Sequence, residues 1–123
     1  MTLLRLLVLA CAMGWTVHQG YAPHYAVGVM DQVADNRGLD WVDCPVASPN
    51  LDIGNWVYVY GIRTGVLRYC RVTDVSEAID RLRHIRMKRV VELSNRSAQV
   101  ICGLEVMDDR PEQCPVVVVS EYE

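Results

Sequence analysis

Two carboxylates stand in company that could give them chemistry. Asp74 closes the run Cys70-Arg71-Val72-Thr73-Asp74, and Glu92 lies between Val91 and Leu93 in Val90-Val91-Glu92-Leu93-Ser94. A carboxylic acid with apolar neighbours keeps its proton to higher pH, because burial penalises the charged form. Such a group can protonate a leaving oxygen. A second carboxylate beside it can orient the substrate or raise the first group's pKa by like-charge repulsion. That is the chemistry of glycosidic bond cleavage. Hydrolysis places its carboxyl groups about 5 Å or roughly 6.5–9.5 Å apart, according to stereochemistry. A lytic transglycosylation needs no water nucleophile, since the sugar's own hydroxyl closes the ring, and one carboxyl acting as acid and base suffices. Each residue also has a plainer role open to it. Asp74 suits the N-cap of the helical pattern that follows, and Glu92 can pair with an arginine or face solvent.

Trp41, Trp56, Tyr58, Tyr60 and Tyr69 fall in strand-like stretches. Such rings can stack on sugars, and they serve equally as half-buried strand residues. His84 reads as a surface residue. His18, His24 and His84 are scattered and there is no Cys-x-x-Cys pair, so neither a metal nor a cofactor is expected. Asn95-Arg96-Ser97 spells a glycosylation sequon, which has meaning only in a eukaryotic secretory pathway.

The chain has 123 residues, one domain by length, and 51% are apolar, which argues against disorder. Its formal net charge is −3, so nucleic acid is not an expected partner. The stretch from Arg81 to Arg89 is locally basic, which suits a solvated face or contact with an anionic polymer. Residues 6–17 form an unbroken apolar run behind Arg5, and no acid appears before Asp31. That layout is expected of a secretory signal or N-terminal anchor over 1–22, preceding a domain over 23–123. A buried core helix is the alternative. The run is short for a membrane span, so membrane contact is expected through this segment alone. Val8-Leu9-Ala10-Cys11 fits a lipidation box loosely. The expected location is secreted, periplasmic or cell-envelope. Removing the signal removes Cys11 and leaves Cys44, Cys70, Cys102 and Cys114, which reads as two disulfides. Three pairings are open, and locality favours Cys44–Cys70 and Cys102–Cys114.

The elements that must position these groups are mostly strands. Residues 18–25 read as a linker, and Val27 to Asn36 as one or two helical turns. Trp41 to Ala47 is β-rich but holds Pro45, which suits an edge or bend. Trp56 to Tyr60 is wholly β-branched or aromatic, followed by a loop ending at Gly65 and a returning strand from Val66 to Thr73. Val66, Cys70 and Val72 share one face of that strand, with Arg68 the exception. A continuing pleat would put Asp74 on the same side. Val75 to Met87 has a helical pattern, and Val90 to Leu93 is a short strand. Ser94 can cap a helix over Asn95 to Cys102 that stops at Gly103. Asp108 to Pro111 is a turn, and Pro115 to Val119 a buried strand.

From Gly54 to Gly103 this order of motifs resembles the double-psi β-barrel family of RlpA-like, expansin-like and barwin-like domains. Val72-Thr73-Asp74 matches the family's Val-x-Asp motif. Val90-Val91-Glu92-Leu93-Ser94 matches its hydrophobic pair followed by Asp-Leu-Ser, with Glu92 where the family has Asp, and a helix with Ala98 follows. The resemblance implies a mainly β fold, a small six-stranded double-psi-like barrel with one or two short helices behind the N-terminal segment. It implies cell-wall polysaccharide as partner, with Asp74 and Glu92 as catalytic candidates and Thr73, Trp56, Tyr58 and Tyr60 as substrate contacts. A non-catalytic binding or protein-interaction module on the same barrel is the alternative.

Overall fold

In Trp56-Val57-Tyr58-Val59-Tyr60 the small branched residues and the large rings alternate, so a strand sorts them onto opposite faces. The computed structural model, which describes residues 2–24, 44–48, 51–75, 85–103 and 114–121, does this. Val57 and Val59 are buried in the main core, while Trp56, Tyr58 and Tyr60 stand on the other face. The expected helix at 27–36, residues 76–84 of the helical pattern expected over 75–87, Trp41, His84 and the turn at 108–111 lie outside the described residues, and Val75 belongs to a strand.

The elements in chain order are α1 (Leu3–Met13), β1 (Thr16–Tyr21), β2 (Pro45–Ser48), β3 (Trp56–Gly61), β4 (Leu67–Val75), β5 (Glu92–Leu93), α2 (Asn95–Cys102) and β6 (Pro115–Ser120). The strands form one six-stranded mixed sheet, ordered β1-β6-β3-β4-β2-β5 and curled into a half-barrel. Among the described strand pairs only β2–β4 is parallel. Residues near the two outer strands also meet. Tyr21 bridges Arg89 and His24 bridges Leu93, both in parallel. The Tyr21 amide donates to the Lys88 carbonyl (2.8 Å), and the Leu93 amide donates to the Pro23 carbonyl (2.9 Å).

The concave side holds the main core, built from Val46, Val57, Val59, Cys70, Val72, Leu93, Ile101, Val116 and Val118 among others. Both expected disulfides, Cys44–Cys70 and Cys102–Cys114, are present and their cysteines are buried. On the convex side Val117 and Val119 are covered by Leu6 and Ala10 of α1. That is why β6 is apolar at every position from Val116 to Val119: it is covered on both faces.

Local chemistry sets the helix limits. The Thr2 hydroxyl caps α1 by accepting from the Arg5 amide, and Gly14 ends it in the left-handed region at φ 71°. Ser94 and Gly103 do the same for α2, as expected from the sequence. The apolar run over 6–17 is thus split between a helix and a strand. Residues 18–21, expected as linker, belong to β1, because their partner β6 is distant in sequence.

Candidate functional site

The convex face can be read from strand register, because directly paired residues share a face. Trp56 pairs with Arg71, Tyr58 with Tyr69 and Tyr60 with Leu67. Rings on adjacent strands at this spacing touch. Trp56 and Tyr69 stack at 4.9 Å between centroids, with planes 18° apart. Tyr69 meets Tyr58 at 4.6 Å, and Trp15, just past α1, stacks on Tyr58 at 6.2 Å. At the other end the Arg71 guanidinium carbon lies 5.8 Å from the Trp56 ring centre. The result is a continuous row: Trp15, Tyr58, Tyr69, Trp56, Arg71. Trp56 is 40% exposed and Tyr69 45% exposed, so the middle of the row faces solvent. Trp15, Tyr58, Tyr60 and Leu67 pack against the cluster under α1. Because the rings hold one another, the row keeps its shape without a ligand, which lowers the ordering cost of binding.

The same face continues to the two carboxylates, by a route that a regular strand would not give. Val46 pairs with Val72, but the next residue, Ala47, pairs with Asp74. Thr73 is the extra residue of a bulge, and it is wholly buried. Bulges shift side chains between faces. The expectation that Asp74 follows Cys70 and Val72 toward the core is therefore overturned. Val46 belongs to the core, so Ala47 and its partner Asp74 turn to the convex side. Ala47 also pairs with Glu92, whose neighbours Val91 and Leu93 are both in the core. Asp74 and Glu92 thus flank Ala47 on one face. Their backbones are two strand spacings apart, roughly 10 Å. Both are half-buried, and neither lacks a partner.

A separate cavity of about 200 Å³ opens beside α2, lined by Cys44, Arg68, Arg96, Ser97 and Val100. This accounts for Arg68 as the exception on its strand face. It pairs with core residue Val59 but lies at the strand's open end, where its guanidinium reaches the Leu67 carbonyl. The cavity does not include Asp74 or Glu92.

The row thus brings together Trp56, Tyr58 and Tyr69 of the rings expected from the sequence. Tyr60 shares their face, half-buried in the cluster under α1. Sequence reasoning missed Trp15 and Arg71. Arg71 was within reach: once the loop at 61–65 is taken as a hairpin, counting back from Tyr60 opposite Leu67 sets Arg71 opposite Trp56. The chain matches no protein-family model and no curated protein.

Proposed function

We propose that the chain is an exported module that binds cell-wall polysaccharide along its convex face. The observation that carries this reading is the exposed, pre-stacked row from Tyr58 through Tyr69 and Trp56 to Arg71. Exposed ring surface offers apolar contact to the C–H groups of a sugar, while tyrosine hydroxyls and a guanidinium supply hydrogen bonds. The two disulfides favour an oxidising compartment. In this reading the fold is a closed double-psi-like barrel of the RlpA-like and expansin-like kind. The bridges Tyr21–Arg89 and His24–Leu93 between its outer strands support it.

Trp56→Ala should weaken binding to an insoluble cell-wall polysaccharide at least about tenfold, as loss of a central aromatic anchor does. Val100→Ala, a truncation of an exposed residue on α2, which packs on the opposite side of the sheet, should leave binding unchanged. Pull-down isotherms on purified wall material decide it. Equal retention of wild type and Trp56→Ala would remove the row from the binding site. Retention of neither, with capture of a wall protein instead, would favour the protein-interaction module.

The placement of Asp74 and Glu92 on one face favours a second reading, in which the bound strand is also cleaved. Glu92 is then the acid and base and Asp74 its neighbour. Glu92→Gln keeps the shape and loses the proton, so it should abolish release of soluble fragments while polysaccharide binding persists. Wild type that binds and releases no fragments would leave the binding module alone.

Export in this reading removes α1. A cut after residue 22 would also take β1, with its six residues paired to β6, out of the sheet. A cut between α1 and β1 leaves the sheet whole, and it is the one we propose. Intact-mass analysis of exported protein should give an N-terminus at residue 14, 15 or 16. Material that retains Met1, or that starts at residue 23, would refute this.

A further inference from the structure

The stacked row ends on a cation whose setting is unusual for a strand surface. An arginine there commonly faces a carboxylate across the strands. Arg71 instead has Trp56 on one side and Pro45 on the other, and neither side chain offers an acceptor. Its Nε is buried with no hydrogen-bond partner, and among the described residues it forms no ion pair. The guanidinium carbon lies over the Trp56 ring, 5.8 Å from its centre, a cation–π contact that restrains it. A guanidinium so held presents its fork in a fixed direction, which is the geometry that grips a carboxylate bidentately.

We infer that Arg71 is the specificity-determining residue of the row, and that the ligand is an acidic polysaccharide whose uronate carboxylate pairs with Arg71 while its ring rests against Trp56 and Tyr69. This rests on the proposal that the row binds polysaccharide, and it adds the ligand's charge. The rest of the chain argues against a diffuse cause. With a formal net charge of −3, the protein as a whole repels a polyanion. Any preference for one must therefore be local, to Arg71 or to the basic stretch from Arg81 to Arg89, and Arg71→Gln separates the two because it leaves that stretch intact.

The test measures affinity for polygalacturonate and for the same polymer with its carboxyl groups reduced to alcohols. Wild type should bind the acidic polymer about tenfold more tightly, the effect of one charge-assisted hydrogen-bonded pair. Arg71→Gln should bring the two affinities together without weakening binding to the reduced polymer. Arg71→Lys, which keeps the charge and loses the fork, should restore only part of the preference. Trp56→Ala should weaken binding to both polymers. Unfolding transitions of the variants should match wild type, so that lost binding is not lost structure. Equal wild-type affinity for the two polymers, with Trp56→Ala still weakening both, would overturn the role of Arg71 and leave the polysaccharide reading intact. A preference that survives in Arg71→Gln would overturn it as well. Binding to neither polymer would overturn both.

Discussion

Gly61→Ala is expected to be among the most damaging single substitutions in this chain, at about 3 kcal/mol or more. Gly61 ends β3, where the hairpin loop folds back onto α2. Its amide donates to the Val66 carbonyl (2.9 Å) and its carbonyl accepts from the Gly65 amide (2.8 Å). The Thr64 hydroxyl, in the same loop, donates to the Ile101 carbonyl in the last turn of α2. A Cβ on Gly61 would collide with that same carbonyl oxygen and press on the Thr64 hydroxyl. Both obstacles are anchored, the first in the backbone of a helix whose Ile101 side chain is fully buried in the core. Relief therefore requires α2 to lift from the sheet. Gly65→Ala is the matched control. A new Cβ there would meet only the Tyr60 hydroxyl, at an ordinary 3.7 Å, and its φ of 74° leaves only backbone strain, worth about 1 kcal/mol. Urea unfolding midpoints should separate the two clearly. A Gly61→Ala loss no larger than that of Gly65→Ala would show that α2 is not held where described.

Breaking the disulfides is the second large effect. Cys44–Cys70 closes 26 residues and Cys102–Cys114 closes 12. In the chain-entropy account these loops are worth about 3.5 and about 3 kcal/mol. A domain of this size has about 5–15 kcal/mol in total, so losing both should remove a large share of its stability and shift its denaturant midpoint far down. The paired variant Cys44→Ala/Cys70→Ala should lose more than Cys102→Ala/Cys114→Ala. All four cysteines are buried. Reductant should therefore act slowly in buffer and quickly in urea, because the thiolate must wait for the fold to open. Denaturant melts with and without reductant measure this. Unchanged stability after complete, verified reduction would refute it, and peptide mapping that joins Cys70 to Cys102 or Cys114 would refute the pairing.

What could be read from the sequence was what short-range chemistry determines. The limits of α2 follow from Ser94 and Gly103, each acting within one turn of the helix. Strand β3 follows from the alternation of valines and rings, and both disulfides follow from locality. What escaped depends on distant partners. His18, Gln19 and Gly20 have little strand character of their own, and they form β1 only because β6 pairs with them. The bulge at Thr73 has no local signature. It arises where β4 must meet β2 in parallel, and it alone moves Asp74 to the face that carries Glu92. The aromatic residues were legible as a set, but their order in a stack, and the cation at its end, needed the register of the hairpin.

The position of β6 has a consequence for when this chain can fold. It comes last among the strands in chain order, yet it lies between β1 and β3 and pairs with both. Thr16 finds its partner at Ser120, so that ladder is among the longest loop closures the chain can make. During synthesis β3 can pair at once with β4, but β1 emerges first and has no strand to join until residues 115–120 follow it. A growing chain is thus kept from premature closure by its own strand order, and its folding is expected to be slow for its size. Under the export proposed above, this topology would supply a delay before folding without a dedicated inhibitor.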